Sequence, residues 1–176
     1  MAPSETDRVY DELLVTLIQA GDRRAGERLV ARWQPRLART ARRLLRDDEA
    51  ALDAVQEAWI GIFRGAAGLN DPARFPAWAF GILHRRCADR IRAAQRARSV
   101  EPPEESMLSG AEDCTAIDQA FARLGAEHRA AATLFFGEGL TLAEVAAATG
   151  VPIGTAKSRI FHARRHLRAA LSGDEA

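Results

Sequence analysis

TLAEVAAATGVPIGTAKSRIFHARRHLR, residues 141–168, decides how this chain is read. Thr141 and Glu144 have the spacing of a capping box, in which each side chain satisfies a free backbone donor at a helix start. The short helix they open should stop at Thr149-Gly150, because glycine takes the left-handed turn conformation without steric cost. Pro152 then suits the first turn of a second helix, where no amide partner is lost. In that helix Ala156, Ile160, Ala163, Leu167 and Leu171 recur at helical spacing and predict a buried stripe. Another side carries the row Lys157, Phe161, Arg164 and Arg168, flanked by Ser158, His162 and Arg165, without a single acid. Short helix, tight turn and basic helix come in the order of a helix-turn-helix, whose second helix enters the DNA major groove. A merely solvated charged face would leave Phe161 without a role. Against DNA, an apolar side chain can meet a thymine methyl while its neighbours bond base edges and phosphates.

Working outward, the charge pattern is blocked rather than mixed, although the net charge is only +1. Residues 84–98, HRRCADRIRAAQRAR, set Arg85, Arg86, Arg90, Arg92, Arg96 and Arg98 against Asp89 alone. Between this block and the helix-turn-helix, residues 99–122 hold acids and no base, and a further acidic stretch runs from Asp47 to Glu57. Two basic segments separated by an acidic strip suggest two contact points on a polyanion.

Helical periodicity runs almost end to end and no stretch alternates as a strand would, so the fold class is all-α. Helices are expected over about 11–20, 23–46, 48–64 and 76–98, with Pro35 kinking or breaking the second. In the third, Leu52, Val55, Trp59, Ile62 and Phe63 form the expected buried face, leaving Asp53, Gln56 and Glu57 outside. Gly65 to Phe75 carries turn signals. SVEPPEESMLSGAED, residues 99–113, has prolines, serines and acids with little to pack, and reads as an acidic flexible linker. It divides an amino-terminal domain, 1–98, from a carboxy-terminal one, 114–176. The latter should hold helices over about 115–124, with Ile117, Phe121 and Leu124 as its stripe, and over 127–136, before the helix-turn-helix.

No run of about 18 apolar residues could span a membrane, and the amino terminus lacks the pattern of a signal peptide, so a cytoplasmic protein without membrane insertion is expected. Cys87 and Cys114 lack ligand spacing, so neither a disulfide scaffold nor a metal site is indicated. Cys87 continues the apolar row Phe80, Leu83 and Ile91 and reads as a small core residue. No phosphate loop, facing carboxylates or activated nucleophile is present, so no enzyme and no cofactor is expected.

Three segments carry a resemblance. Leu52-Asp-Ala-Val-Gln-Glu57, then Phe75-Pro-Ala-Trp78 followed by Asp89 and Arg92, then Gly150-Val-Pro-Ile-Gly-Thr-Ala-Lys-Ser-Arg159 occur in that order. They resemble the DLVQE-type, FxxWLxxIxxNxxxDxxR and GVPxGTVKSR segments of the extracytoplasmic-function (ECF) sigma factors, the smallest sigma-70 proteins, which direct core RNA polymerase to promoters. The resemblance implies a sigma-2-like helical bundle joined by the acidic linker to a sigma-4-like helix-turn-helix domain. It implies that Asp53, Gln56 and Glu57 grip the clamp helices of the polymerase β′ subunit, with further contacts to the β subunit. Leu69, Asn70 and Asp71, with Arg85, Arg86, Arg90, Arg92 and Arg96, would engage the minus-ten DNA. Thr155, Lys157, Ser158, Arg159, Phe161, His162 and Arg165 would read the minus-thirty-five element. An anti-sigma factor is the further partner implied. Trp33, Trp59 and Trp78 are expected in the core, and Asp89 as an ion-pair partner of nearby arginines.

Two other classes compete. A sigma-like mimic that only binds an anti-sigma factor predicts decay of the basic recognition face, which this chain has kept. A stand-alone helix-turn-helix regulator leaves the 52–57 segment and the basic fourth helix unexplained.

Overall fold

The computed structural model describes residues 4–98 and 115–172, and within them every regular element is helical. The amino-terminal unit consists of α1 (Glu5–Gln19), α2 (Arg23–Leu45), α3 (Asp48–Gly65) and α4 (Phe75–Arg98); the carboxy-terminal unit consists of α5 (Ala116–Ala122), α6 (Ala126–Ala132), α7 (Leu142–Thr149) and α8 (Ile153–Ser172). The acidic linker expected at 99–113 and Cys114 lie outside the described residues.

Helix α1 starts at Glu5 rather than near Asp11, because Ser4 and Asp7 close a capping box ahead of the apolar run. Asp7 then holds Arg32 of α2 at 3.0 Å, and the buried Asp11 holds the same guanidinium at 3.0 Å. Helix α2 continues through Pro35, so the proline does not break it. Pro35 and Ala31, whose carbonyl loses its partner, are both exposed, so water can satisfy that group.

Leu14, Leu29, Trp33, Leu37, Val55, Ile62, Phe75, Phe80 and Leu83 are buried in the centre of the amino-terminal unit. Trp33 meets Phe75 edge-on at 4.8 Å between ring centroids and tilts against Phe80 at 5.4 Å. Two sequence assignments on α3 are corrected: Leu52 and Phe63 are exposed, and Ala51, Ala54 and Ala58 take the inward positions instead. Small residues there let α3 lie close to its neighbours. Gly65 serves the same end, since a Cβ at this position would stand 2.8 Å from the ring of Trp78.

The carboxy-terminal unit has a small cluster of its own, made of Ala120, Phe121, Leu124, Ala132, Ala163 and Leu167. Ile117 and Leu171, expected in buried stripes, are exposed. The helix expected through Phe136 ends at Ala132 and continues as one π-helical turn, Thr133–Gly137. Thr141 and Glu144 do form a capping box, and Gly150 ends α7 with φ +69°. Pro152 stands just outside α8, its carbonyl accepting from the Ala156 amide at 3.0 Å.

The two units share one continuous core. Leu134, Leu140, Val145, Ala148, Ala156 and Ile160 join the cluster built by α1–α4. Helix α7 lies along α4, where Gly81 faces the backbone of Ala148 and a Cβ there would stand at van der Waals contact, 3.4 Å away. Beside this seam Glu138, 2% exposed, receives Arg36 Nε at 3.1 Å, Arg39 Nη2 at 3.2 Å and the Thr40 hydroxyl at 3.0 Å. Arg43 reaches Asp118 at 2.6 Å, and Arg129 donates to the Leu44 carbonyl at 3.1 Å.

Removing the carboxylate leaves three donors facing an emptied site, while the two guanidiniums can still turn partly to water. Glu138→Ala should therefore lower unfolding free energy by about 3 kcal/mol, the low end for breaking a buried pair. Urea unfolding of the whole chain checks this; a loss below about 0.5 kcal/mol would show that the seam stands without it.

Candidate protein and nucleic-acid interfaces

Three surfaces emerge from this packing. The first is the outer side of α3. With alanines inward, Leu52, Asp53, Gln56, Glu57, Ile60 and Phe63 are all turned out, and Phe63 stacks on Trp59 at 5.5 Å. Trp59 itself is fixed from below by its indole N–H, which donates to Gln34 Oε1 at 2.6 Å. This is an acidic surface with an apolar rim, and two of its apolar residues, Leu52 and Phe63, escaped the sequence reading because they fit a core pattern.

The second surface is the 65–75 loop with α4. The loop contains two single 3-10 turns, Ala66–Gly68 and Pro72–Arg74. Gln19 Nε2 pins it by donating to the carbonyls of Ala66 at 2.9 Å and Leu69 at 2.8 Å. Leu69 leans against the core, so the tip consists of the exposed Asn70 and Asp71. Asp71 is itself engaged, accepting from the Ala73 amide at 3.1 Å and facing Arg74 at 3.2 Å.

On α4 the arginines part company. Arg85 folds back to the Gly81 carbonyl at 3.2 Å, and Arg92 pairs with Asp89, as expected for that acid. Arg90 turns toward α3 instead, 2.8 Å from Glu57 and 3.4 Å from Asp53, and Arg86 stands 3.8 Å from Glu57. Residues assigned from sequence to two different partners are thus brought together. His84, half-buried between Arg85, Arg92 and Arg159, has its pKa lowered, first by burial and then by those charges.

The third surface is the outer face of α8. Lys157, Ser158, Phe161, His162, Arg164, Arg165 and Arg168 are exposed, Phe161 at 63%. Among the described residues none of the cations Lys157, Arg164, Arg165 and Arg168 has an ion pair. His162 packs edge-on between Phe161, 5.6 Å away, and His128, 6.0 Å away. Thr155 is half-buried, and Arg159 is drawn aside to Glu127 at 2.5 Å. Ala156, Ile160, Ala163 and Leu167 face inward, which holds the basic face outward.

Among the described residues no group of three His, Cys, Asp or Glu is placed to hold a metal ion, and no helix is long and apolar enough to cross a membrane. Cys87 is buried, and burial pushes its thiol up to about 12. At neutral pH it is protonated and shielded, so a thiol reagent should modify Cys87 only on unfolding. Mass-spectrometric mapping after native labelling checks this; rapid native modification of Cys87 would contradict it.

Comparison with known proteins agrees with this architecture. Residues 29–97 match the family described as Sigma-70 region 2, and residues 114–167 match Sigma-70, region 4. The chain is 35% identical to the ECF RNA polymerase sigma factor SigM of Mycobacterium tuberculosis, over 94% of this chain and 86% of that protein. It is 30% identical to the RNA polymerase sigma-H factor of Pseudomonas aeruginosa, over 92% and 93% of the two chains. Among solved structures it is similar to CnrH in complex with the cytosolic domain of CnrY, with a TM-score of 0.69, 26% identity, and coverage of 94% and 99%.

Proposed function

Since the chain belongs to the ECF sigma factors of RNA polymerase, we propose that its three surfaces divide the work of directing core polymerase to promoters. The outer side of α3 takes core polymerase. Asp53 and Glu57 steer it onto a basic partner, the β′ clamp helices, and Leu52, Ile60 and Phe63 supply apolar area around them. The 65–75 loop and the arginines of α4 take the minus-ten region. Guanidiniums there neutralise phosphate and stack on unpaired bases, so binding energy, rather than a reaction catalysed by this chain, favours the open strand.

Helix α8 reads the minus-thirty-five element in the major groove. Lys157, Ser158 and His162 reach base edges, Phe161 meets a thymine methyl, and Arg165 neutralises phosphate. Thr155 and Arg159 stand at the margin of this face, Arg159 holding α8 to Glu127. Polymerase carries out nucleotide addition, and the factor acts in the cytoplasm beside it.

CnrH is described with CnrY's cytosolic domain, and the sigma factor RpoE of Bartonella quintana with the anti-sigma factor NepR. An anti-sigma factor for this chain fits the same picture: its closed packing offers such a partner both units at once.

The observation that carries this reading is that one chain presents both an acidic helix face with an apolar rim and a helix-turn-helix on whose second helix Lys157, Arg164, Arg165 and Arg168 have no ion pair among the described residues. Transcription in vitro with core bacterial polymerase on fragmented genomic DNA tests it, with transcript starts sequenced. New starts sharing two upstream motifs are expected. Asp53→Arg with Glu57→Arg should weaken holoenzyme formation by about tenfold or more, as like charges meet across the interface. Lys157→Ala with Phe161→Ala should keep core binding and lose about tenfold or more in use of the upstream element, about 1.4 kcal/mol or more for the pair. Absence of core binding by the unaltered chain would sink the reading.

A further inference from the structure

Helix α6 reaches the basic side of α8 through two consecutive side chains. Glu127 holds Arg159 at 2.5 Å, and the ring of His128 meets that of His162 edge to face, with 6.0 Å between centroids and 85° between planes. Arg159 and His162 are three residues apart on α8 and so are neighbours on its surface; one turn of α6 braces both. Phe161 adds a second nearly perpendicular contact to His162, at 5.6 Å and 80°. Among the described residues no hydrogen bond engages a ring nitrogen of either histidine, so the exposed His162 imidazole is held by ring contacts alone. His128 is half-buried, and its Nδ1 is 3.8 Å from where a Cβ on Gly125 would stand, which folds that ring back over the start of its own helix. The backbone of α8 is fixed by Ala156, Ile160, Ala163 and Leu167 facing inward. What is left to set at position 162 is the direction of the side chain, and His128 closes the α6 side of it.

We infer that His128 is a positioning residue for base recognition: by holding the His162 imidazole, and without touching DNA, it sets the preference of α8 at one base pair. The inference rests on the DNA reading proposed above for α8, and it places a determinant of specificity outside the helix that enters the groove. Packing that leaves both nitrogens of His162 unbonded reserves them for a base edge. Hydrogen bonds weaken steeply as their angle closes, so the direction of the ring decides which edge atom it can serve. A ring already held in one direction also loses less side-chain freedom on binding. Without His128 the imidazole turns among several directions, and the choice between bases is blurred while the phosphate contacts of the neighbouring cations persist.

The test uses holoenzyme assembled from core bacterial polymerase and the whole chain, transcribing fragmented genomic DNA, with transcript starts sequenced and the upstream motif compared base by base. His162→Ala identifies the base pair read through the imidazole. His128→Ala should reduce the preference at that same base pair about five- to tenfold, with the rest of the motif and core binding retained. His128→Phe keeps a ring at the contact and should restore the preference to within about twofold of the unaltered chain. Glu127→Gln loosens the same turn of α6 without removing the ring contact, and should leave that base pair as it was. The positioning role is overturned if His162→Ala shifts no base pair, if His128→Ala leaves the preference intact or erodes every position equally, or if Glu127→Gln acts as strongly as His128→Ala. Failure of the unaltered chain to bind core polymerase or to select an upstream motif overturns instead the functional reading beneath it, and the positioning role with it.

Discussion

The arrangement of this molecule depends on a carboxylate placed where it cannot be solvated. Glu138 follows the π-helical turn after α6 and enters a socket made by Arg36, Arg39 and Thr40 of α2. Burying such a pair contributes little net stability, because desolvation roughly offsets attraction. Its effect is orientational, since three donors from one helix accept a single position of the carboxyl group. Arg36 carries that constraint inward, with its guanidinium 4.1 Å from the centre of the Trp33 ring and 5.5 Å from that of Phe80. The aromatic centre of one unit and the seam between the two are thereby held by the same side chain.

From that placement the functional surfaces follow. With Glu138 seated, α7 lies along α4 at the Gly81 contact, and the apolar stripe of α8 turns inward. The basic face of α8 then has no direction left but outward. The outer side of α3 remains exposed. The closed form therefore leaves both the outer side of α3 and the outer face of α8 exposed. The bonds of Glu138, Asp118 and the Leu44 carbonyl are among those that tie the two units together across the seam.

Periodicity made the all-α fold legible, and cap chemistry placed the ends of α7. What escaped the sequence has common physical causes. Leu52 and Phe63 fit a buried stripe, but the alanines beside them allow closer packing on the other side of α3, and periodicity cannot choose between two adjacent apolar faces. Pro35 was expected to interrupt α2, yet the carbonyl it frees lies on the wet side. Glu138 gave no signal, standing between two glycines in what reads as a turn, with partners about a hundred residues earlier in the chain. The proposed site residues are picked out by type and motif, whereas their mutual contacts are not. No local rule announces that Arg90 of one proposed surface rests on Asp53 and Glu57 of another.

The same contacts account for a nearly neutral chain with one strongly basic face. Free cations bind any nucleic acid, and each one exposed adds sequence-independent affinity. In this protein, arginines that look available in the sequence are largely occupied by the fold. Arg32 is held by Asp7 and Asp11, Arg36 and Arg39 by Glu138, Arg43 by Asp118, and Arg90 by Asp53 and Glu57. The cations of α8 are the contrasting case, since Lys157, Arg164, Arg165 and Arg168 stand unpaired among the described residues and are grouped on one face of a rigid helix. Concentrating free charge there, and neutralising it elsewhere, limits indiscriminate attachment to DNA while keeping the groups that can be aimed at a groove. Net charge thus reports little about such a protein; which carboxylate each arginine answers to reports a great deal.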